Sequence, residues 1–291
     1  MQLSPEQIDR FWRDGFLTLE EISPPDEVAR TRNTLNRLFD ERAGWEKGAQ
    51  FDLIGAESEG RATALPQLLT PVAFAPELAQ TQQRANALAI ACQLLGAPAE
   101  YWFEHAILKP AGHGAATPWH QDDAHRYDPG TDYDQLSIWM PLQEATEANG
   151  CMQYIAGSHR GEVLPHHAPN DDPRASALEC VGGFDPATAT KCPLPAGGAV
   201  VHHSRTLHHA AVNHSTVPRL AYILGFRANV RANPDFKGYS WNTGKMTPAS
   251  ERAQAWERRG GPLGRLSRAT VRGCREFTKR ARRAVGRIVR G

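Results

Sequence analysis

The sequence predicts a protein with an all-β core preceded by α-helices, and two observations support this fold class. In the first hundred residues, apolar side chains recur at helical spacing behind capping signals. Beyond residue 100 the chain consists of short runs rich in β-branched and aromatic residues, separated by Gly, Pro, Asn and Asp. Such runs are typical of the strands of a β-sandwich or barrel.

Three helices are predicted in the N-terminal region. The first begins after the cap residue Ser4, with Pro5 at the first helical position and Gln7 completing a capping box. A short strand, FLTLE, follows directly. The second helix is expected to begin at the cap residue Ser23, and the third covers PELAQTQQRANALAIACQLLG and ends at Gly96.

Five later runs are predicted as core strands: YWFEHAILKP, QLSIWMPL, CMQYIAGS, GGAVVHHS and PRLAYILGFR. A stretch rich in Pro and Asp, residues 165–196, is too long for a plain hairpin connection. Insertions of this length in compact domains often form lids. The expected organisation is a unit of residues 1–250, with a helical part at 1–98 and a β-core at 99–230, followed by an extension at 251–291.

Composition excludes several protein classes. Of 291 residues, 41% are hydrophobic and 22% are charged, which is ordinary for a globular protein, and no apolar run reaches the ~20 residues that a membrane span needs. The opening segment MQLSPEQIDRF is polar and helix-like, so we expect no secretory signal. The five cysteines are scattered and form no CxxC pair. We therefore expect a cytoplasmic protein whose cysteines are structural.

The charge is distributed unevenly between body and tail. Residues 257–291 hold twelve basic and two acidic side chains, which leaves 21 basic and 30 acidic residues, a net charge of −9, in residues 1–256. Apolar residues recur at helical spacing in the tail, so a basic amphipathic helix is predicted that contacts a membrane surface or an acidic partner. A solvated extension is the alternative. Nucleic acid is the less favoured partner because the body is acidic.

The segment TPWHQDDAHRY, residues 117–127, contains a candidate metal site. In a strand, alternate side chains share a face, so His120 and Asp122 can converge while Gln121 faces away. One imidazole and one carboxylate suit Fe(II), and a second histidine would complete a facial triad. An HxD at the polar end of a strand is the alternative. The downstream segment HHSRTLHHAAVNHS offers His202, His203, His208, His209 and His214.

These motifs, in this order, resemble the phytanoyl-CoA dioxygenase family of Fe(II)/2-oxoglutarate oxygenases. The resemblance is carried by HxD, by LSIWMPLQEATEANGCMQYIAGSHRG, and by HHSRTLHHAAVNHSTVPRLAYIL, and with the N-terminal LSPEQIDRFWRDGFLTL it covers residues 3–230. It implies a dioxygenase domain with a cupin-like double-stranded β-helix, or jelly roll, flanked by N-terminal α-helices. The chain departs from the usual pattern at Ala156 and in the HHAAVN turn.

The resemblance also implies roles for individual residues. His120, Asp122 and His208 match the catalytic metal ligands, because His208 precedes Asn213 by five positions and Arg219 by eleven. Arg219 matches the residue that binds the distal carboxylate of 2-oxoglutarate. The other candidates for cofactor binding are Ser137, Trp139, Lys109, Gln121 and Ser215. Asp123 is expected to be structural, His203 to pack near the site, and His209 and His214 to lie on the surface.

The implied reaction is hydroxylation of an unactivated C–H bond of a small molecule, a specialised metabolite or a lipid, with O2 as cosubstrate and release of succinate and CO2. Desaturation, cyclisation or epoxidation are alternatives, as are a cupin-like hydrolase or isomerase and a non-catalytic jelly roll that binds 2-oxoglutarate or a metabolite. The loop at 51–69 and the insertion are expected near the substrate. The candidate substrate residues are Tyr101, Phe103, His105, Tyr127 and Trp241.

Overall fold

The computed structural model describes residues 1–54, 62–172 and 174–259. Within them the α-helices are Pro5–Asp14 (α1), Pro25–Asp40 (α2), Gln82–Leu95 (α3) and Pro248–Arg258 (α4). The strands are Phe16–Leu19 (β1), Gln50–Asp52 (β2), Pro66–Leu69 (β3), Glu100–Lys109 (β4), Thr117–His120 (β5), Gly130–Pro141 (β6), Met152–Tyr154 (β7), His166–His167 (β8), Glu179–Cys180 (β9), Thr190–Cys192 (β10), Ala199–His203 (β11), His208–Ala210 (β12) and Arg219–Asn233 (β13).

Two antiparallel sheets form the core. The larger sheet has the strand order β1-β11-β6-β13-β4-β3-β2 and the smaller β10-β7-β12-β5, while β8 and β9 pair separately inside the 165–196 insertion. Apolar side chains from both large sheets, among them Trp139, Tyr154 and Ile223, pack in one cluster. The sheets therefore face each other as a sandwich, as predicted for the β-core.

The N-terminal helices cover the other face of the larger sheet. Leu35 of α2 and Ile90 of α3 belong to the same buried cluster as Leu224 of β13. Successive strand residues point to opposite faces, so the even-numbered residues of this part of β13 pack under the helices and the odd-numbered ones face the smaller sheet. The helices thus stabilise the sheet from outside and leave its inner face for the site.

The helix ends are only partly as predicted. Ser4 and Gln7 form the capping box of α1, but Ser23 does not cap α2, whose cap position is Pro24. The Ser23 hydroxyl instead donates to the Glu27 carboxylate, at 3.1 Å. That prediction was wrong because Ser23 supports a buried side chain of α2.

The third predicted helix is interrupted at Thr81, which is extended between a 3-10 turn, Pro76–Gln80, and α3. The interruption has a tertiary cause. The Glu27 carboxylate accepts hydrogen bonds from the backbone amides of Gln82 (2.6 Å) and Gln83 (2.8 Å), and so caps α3 from another helix. The helix ends before Gly96, which has a φ of 63°.

A β-bulge in β4 decides which of its side chains face the smaller sheet. Phe103 pairs with Gly225 of β13, and Tyr101 pairs with Phe226, so Trp102 is the extra residue. The bulge reverses the alternation beyond it. Gly225 is required where Phe103 crosses β13, because a Cβ at this position would lie 2.2 Å from the Phe103 ring.

The C-terminal helix α4 lies against the 3-10 turn Trp45–Lys47, where the Arg252 Nε donates to the Trp45 carbonyl at 2.9 Å. This helix includes residue 251, at which the basic extension was predicted to begin. Among the described residues, no helix combines the length and apolarity needed to cross a membrane. The amphipathic helix predicted for the tail lies outside the described residues.

Candidate metal centre

Two histidines face each other across the smaller sheet. His120 ends β5 and His208 begins β12, and the antiparallel register places them directly opposite, with ring centroids 4.1 Å apart. Together with Asp122 they form a cluster in which one potential ligand atom from each residue lies within 4.8 Å of the others. The structure therefore brings together the three side chains that the sequence singled out.

Each of these imidazoles is fixed by a backbone carbonyl. The Nδ1 of His120 lies 2.8 Å from the Pro118 carbonyl and that of His208 lies 2.8 Å from the Thr206 carbonyl. Because a carbonyl only accepts, each Nδ1 carries the proton and each Nε2 offers a lone pair. Burial lowers the pKa of His120 to about 3 and that of His208 to about 4, so both rings are neutral near pH 7 and can bind a metal.

Asp122 reaches the histidines from a turn and not from a strand. β5 ends at His120, and Asp122 opens a 3-10 helix, so the strand alternation expected for the HxD does not apply. Its Oδ1 lies 3.6 Å from the His120 Nε2 and 3.5 Å from the His208 Nε2. Burial opposes ionisation of Asp122, but its hydrogen bond with His202 helps to hold its pKa well below its usual range.

The other carboxylate oxygen of Asp122 is occupied by the protein. Its Oδ2 accepts a hydrogen bond from the Ser137 hydroxyl at 2.6 Å and lies 3.1 Å from the His202 Nε2. His202 is itself held by the Tyr154 hydroxyl, 3.2 Å from its Nδ1. One oxygen of Asp122 is thus anchored while Oδ1 faces the two histidines, an arrangement that suits binding of a metal through a single oxygen.

Arg219 begins β13 and is 1% exposed, yet its Nε and Nη1 have no hydrogen-bond partner among the described residues. Its guanidinium lies over the Trp139 ring, 5.2 Å from the ring centroid. Burial lowers the pKa of Arg219 to about 9. An unpaired buried guanidinium is costly, and a bidentate carboxylate would satisfy it.

A cavity of about 700 Å³ joins these groups. His120, Asp122, His208 and Arg219 all border it. A cavity of this size accommodates a small molecule beside a metal and a keto acid. The donor set and the buried guanidinium fit Fe(II) and a dicarboxylate respectively.

Residues 11–221 match the model of a protein family described as phytanoyl-CoA dioxygenase. The chain belongs to the phytanoyl-CoA dioxygenase family. It is therefore an Fe(II)- and 2-oxoglutarate-dependent dioxygenase, and the jelly-roll fold predicted from the motifs is confirmed by the solved relatives of this family.

The solved structure of EvdO2 from Micromonospora carbonacea var. aurantiaca, in complex with 2-oxoglutarate, is 35% identical to this chain. The match covers 81% of this chain and 95% of that one, with a TM-score of 0.69. The ectoine dioxygenase of Bordetella parapertussis is 28% identical over 75% of this chain and 73% of its own length. A probable alpha-ketoglutarate-dependent hypophosphite dioxygenase from Stutzerimonas stutzeri is 35% identical, but the match spans only 40% of this chain and 41% of that protein.

Several residues expected to bind the cosubstrate lie elsewhere in this dioxygenase. The Lys109 ammonium is fully buried and donates to the carbonyls of Ala115 and Ala210. The Gln121 side chain bonds to the backbone of Glu162 and Leu164, before the insertion, and of Arg205, between β11 and β12. The Ser215 hydroxyl closes a turn with Asn213. Ser137 holds Asp122, as described above. Of these weaker candidates, only Trp139 borders the cavity.

Two of the candidate substrate residues are corrected by the structure. The bulge at Trp102 turns Tyr101 towards the helices, where its hydroxyl donates to the Arg84 carbonyl and its ring packs on Phe226. Trp241 donates to the Ala124 carbonyl and stacks on Tyr239 outside the cavity. Phe103, His105 and Tyr127 do border the cavity, as does part of the 51–69 loop and of the insertion.

Roles were also predicted for Asp123 and for three histidines near the site, His203, His209 and His214. His203 packs beside Trp12 and His159, away from Asp122, so the histidine that supports the site is His202. His214 is exposed, as expected, but His209 is half-buried and stacks on Trp119. Asp123 is buried beside Arg126, which agrees with a structural role.

We expect the support of Asp122 to matter for iron affinity. Ser137→Ala and His202→Phe each remove one of the two partners of the Asp122 Oδ2, and loss of such a partner typically costs 10–100-fold in metal affinity or activity. Iron affinity, measured by competition with a coloured chelator, should fall by about this factor in both variants. His203→Phe is the matched control. Unchanged affinity in both test variants would contradict the anchoring of this oxygen.

Acid should destabilise the metal-free dioxygenase. Burial lowers the pKa of six described histidines to about 3 or 4: His105, His120, His125, His203, His208 and His209. Below pH 6.5 the unfolded chain takes up protons that the folded chain does not, so the free energy of unfolding falls as pH falls, by up to about 1.4 kcal/mol per histidine and pH unit. Urea unfolding with EDTA at pH 7, 6 and 5 tests this; constant stability over that range would contradict it.

Proposed function

We propose that this dioxygenase hydroxylates an unactivated C–H bond of a small molecule, with His120, Asp122 and His208 holding the iron and Arg219 holding the distal carboxylate of 2-oxoglutarate. The supporting observation is that the three ligand side chains and the unpaired guanidinium border one cavity. The overall reaction consumes substrate, 2-oxoglutarate and O2, and yields hydroxylated substrate, succinate and CO2. Iron and 2-oxoglutarate, when bound, supply the oxidising chemistry.

The protein contributes position and exclusion of water. The backbone carbonyls of Pro118 and Thr206 keep the Nε2 atoms of the two histidines unprotonated and directed at the same point. The anchored Oδ2 keeps the Asp122 carboxylate from rotating. Arg219, buried over Trp139, fixes one end of the keto acid and thereby its direction towards the metal. Ala177 of the insertion also borders the cavity, and its amide donates to the carbonyl of Leu53, another lining residue, at 2.8 Å.

The experiment separates an oxygenase from a non-catalytic binding protein. Anaerobic protein with Fe(II) and 2-oxoglutarate should show the weak visible charge-transfer band of the chelate, and air should then release succinate slowly without substrate. A band without succinate would support the non-catalytic binding protein. The absence of both the band and succinate would overturn the proposal. Once a substrate is found, gain of one oxygen atom identifies hydroxylation or epoxidation, and loss of two hydrogens identifies desaturation or cyclisation.

Three further predictions remain part of this proposal. They are the division at residue 250, a cytoplasmic location, and contact of the basic tail with a membrane surface or an acidic partner. Sedimentation of the full chain with anionic liposomes, beside a chain ending at Arg259, tests the membrane contact. Equal pelleting of the two would remove it, and binding of the full chain to an acidic protein domain would then favour the acidic partner.

A further inference from the structure

The side chains around the metal centre indicate the kind of substrate, given the proposed function. His105, His125 and Gln135 border the cavity together with the metal ligands. None of the three side chains makes a hydrogen bond to another described residue. Polar groups in such a position are normally paired, so hydrogen-bonding capacity is available to a ligand here.

This capacity is uncharged. Burial lowers the pKa of His105 to about 4, so this ring is neutral near pH 7. A neutral imidazole offers one donor and one acceptor, and the Gln135 amide offers both as well. Such a set matches hydroxyl groups, which also donate and accept.

Three of the charged groups that border the cavity, Glu104, Arg126 and Arg219, have a partner of opposite charge or an assigned ligand. Glu104 pairs with Arg84 and accepts a hydrogen bond from Tyr222, at 2.7 Å. Arg126 pairs with Asp132 at 3.1 Å, and Arg219 serves 2-oxoglutarate under the proposed function.

Asp128 is the remaining carboxylate of the described lining, apart from the metal ligand. One of its oxygens accepts from the Tyr133 hydroxyl at 3.1 Å, and the other is buried without a partner and closed to solvent. A charged substrate would thus meet no free, accessible counter-charge among the described lining residues. Burying an unpaired charge there would be costly.

Aromatic rings form another part of the wall. Phe103 is fixed across Gly225, while Tyr127 is 64% exposed and Trp102 is 40% exposed. These rings present flat apolar surface next to the uncharged polar groups. A substrate that uses both needs an apolar face and a polar edge.

We propose that the substrate is an uncharged, polyhydroxylated ring compound. Its hydroxyl groups pair with His105, His125 and Gln135, and one face of its ring lies against Phe103 and Tyr127. An acyl thioester of coenzyme A, whose phosphates need cations, and a long-chain lipid, which needs a continuous apolar wall, fit this cavity less well.

The test uses three probes of nearly the same shape: phenyl β-D-glucopyranoside, which is neutral, phenyl β-D-glucuronide, which carries a carboxylate, and phenyl β-D-glucosaminide, which carries an ammonium group. Each probe is titrated under anaerobic conditions into protein that contains Fe(II) and 2-oxoglutarate. The charge-transfer band and the melting temperature of the protein are followed. The glucoside should perturb both, with a Kd at least 10-fold lower than that of either charged probe. Equal or tighter binding of a charged probe overturns the inference, as does no response to any probe while the chelate band is present.

A charged side chain introduced into the cavity wall provides a second test of the inference. Gln135→Lys should shift the preference towards the glucuronide by at least 10-fold, because it adds a cation beside the ring. Gln254→Lys, on the exposed surface of α4, is the matched control and should leave the order of the probes unchanged. An unchanged order in Gln135→Lys contradicts the placement of the probe, whereas loss of the chelate band in unaltered protein would contradict the proposed function itself.

Discussion

Replacing His208 by alanine is expected to weaken Fe(II) binding by at least about 100-fold and to reduce succinate release below detection. Loss of a neighbour that merely orients a ligand typically costs 10–100-fold, and this change removes a ligand itself. His208 also contributes the second Nε2 next to Asp122 Oδ1, at 3.5 Å, so its loss leaves that carboxylate with one imidazole fewer. Chelator competition for the metal and succinate assays measure the two effects.

His214→Ala is the control for this change, because His214 lies on the exposed turn that follows β12. It should bind iron as the unaltered protein does. If His208→Ala retained iron affinity within a few-fold of this control, the assignment of the three metal ligands would be wrong.

Replacing Arg219 by methionine should separate stability from function. The guanidinium is buried with two nitrogens unpaired, so an apolar side chain of similar length should stabilise the protein without ligands by about 1–4 kcal/mol. The same change removes the partner of the distal carboxylate, and loss of two charge-assisted hydrogen bonds predicts at least a 100-fold rise in the Kd of 2-oxoglutarate. Urea unfolding and titration of the charge-transfer band measure these opposite effects.

Arg219→Lys keeps a positive charge but not the planar pair of donors, and is expected to bind 2-oxoglutarate with intermediate affinity. Iron affinity should be unchanged in both variants. A methionine variant that bound 2-oxoglutarate normally would place the carboxylate elsewhere.

The sequence singled out the three side chains that the structure brings together, because two of them are close in the chain and the third occurs at a characteristic spacing. His120 and Asp122 lie two residues apart, and the spacing of His208 from Asn213 and Arg219 distinguished it from four other histidines. The strand argument for Asp122 was nevertheless wrong, since β5 ends before it. His120 and Asp122 converge because a turn follows β5, and the two-residue alternation of a strand cannot predict such a turn.

The support of the site could not be derived in the same way. His202 contacts Asp122 across eighty positions, while the adjacent His203 faces α1, and only the register of β11 against β6 distinguishes them. A two-residue period predicts opposite faces but not which face is inside. The bulge at Trp102 had the same effect on Tyr101, because one inserted residue reverses every side chain beyond it.

The interruption of the third helix shows a different limit. Its apolar pattern runs through Thr81, and the helix begins later because the Glu27 carboxylate meets the amides of Gln82 and Gln83. That cap comes from a distant segment and leaves no local signal around Thr81.

Because Gly225 has no side chain, the Phe103 ring can cross β13 at this point and form part of the cavity wall. Any larger residue at position 225 is expected to displace this ring and change the shape of the cavity next to it. Gly225 is separate from the three proposed metal ligands, so a substitution there is expected to change which molecules fit the cavity without removing a ligand.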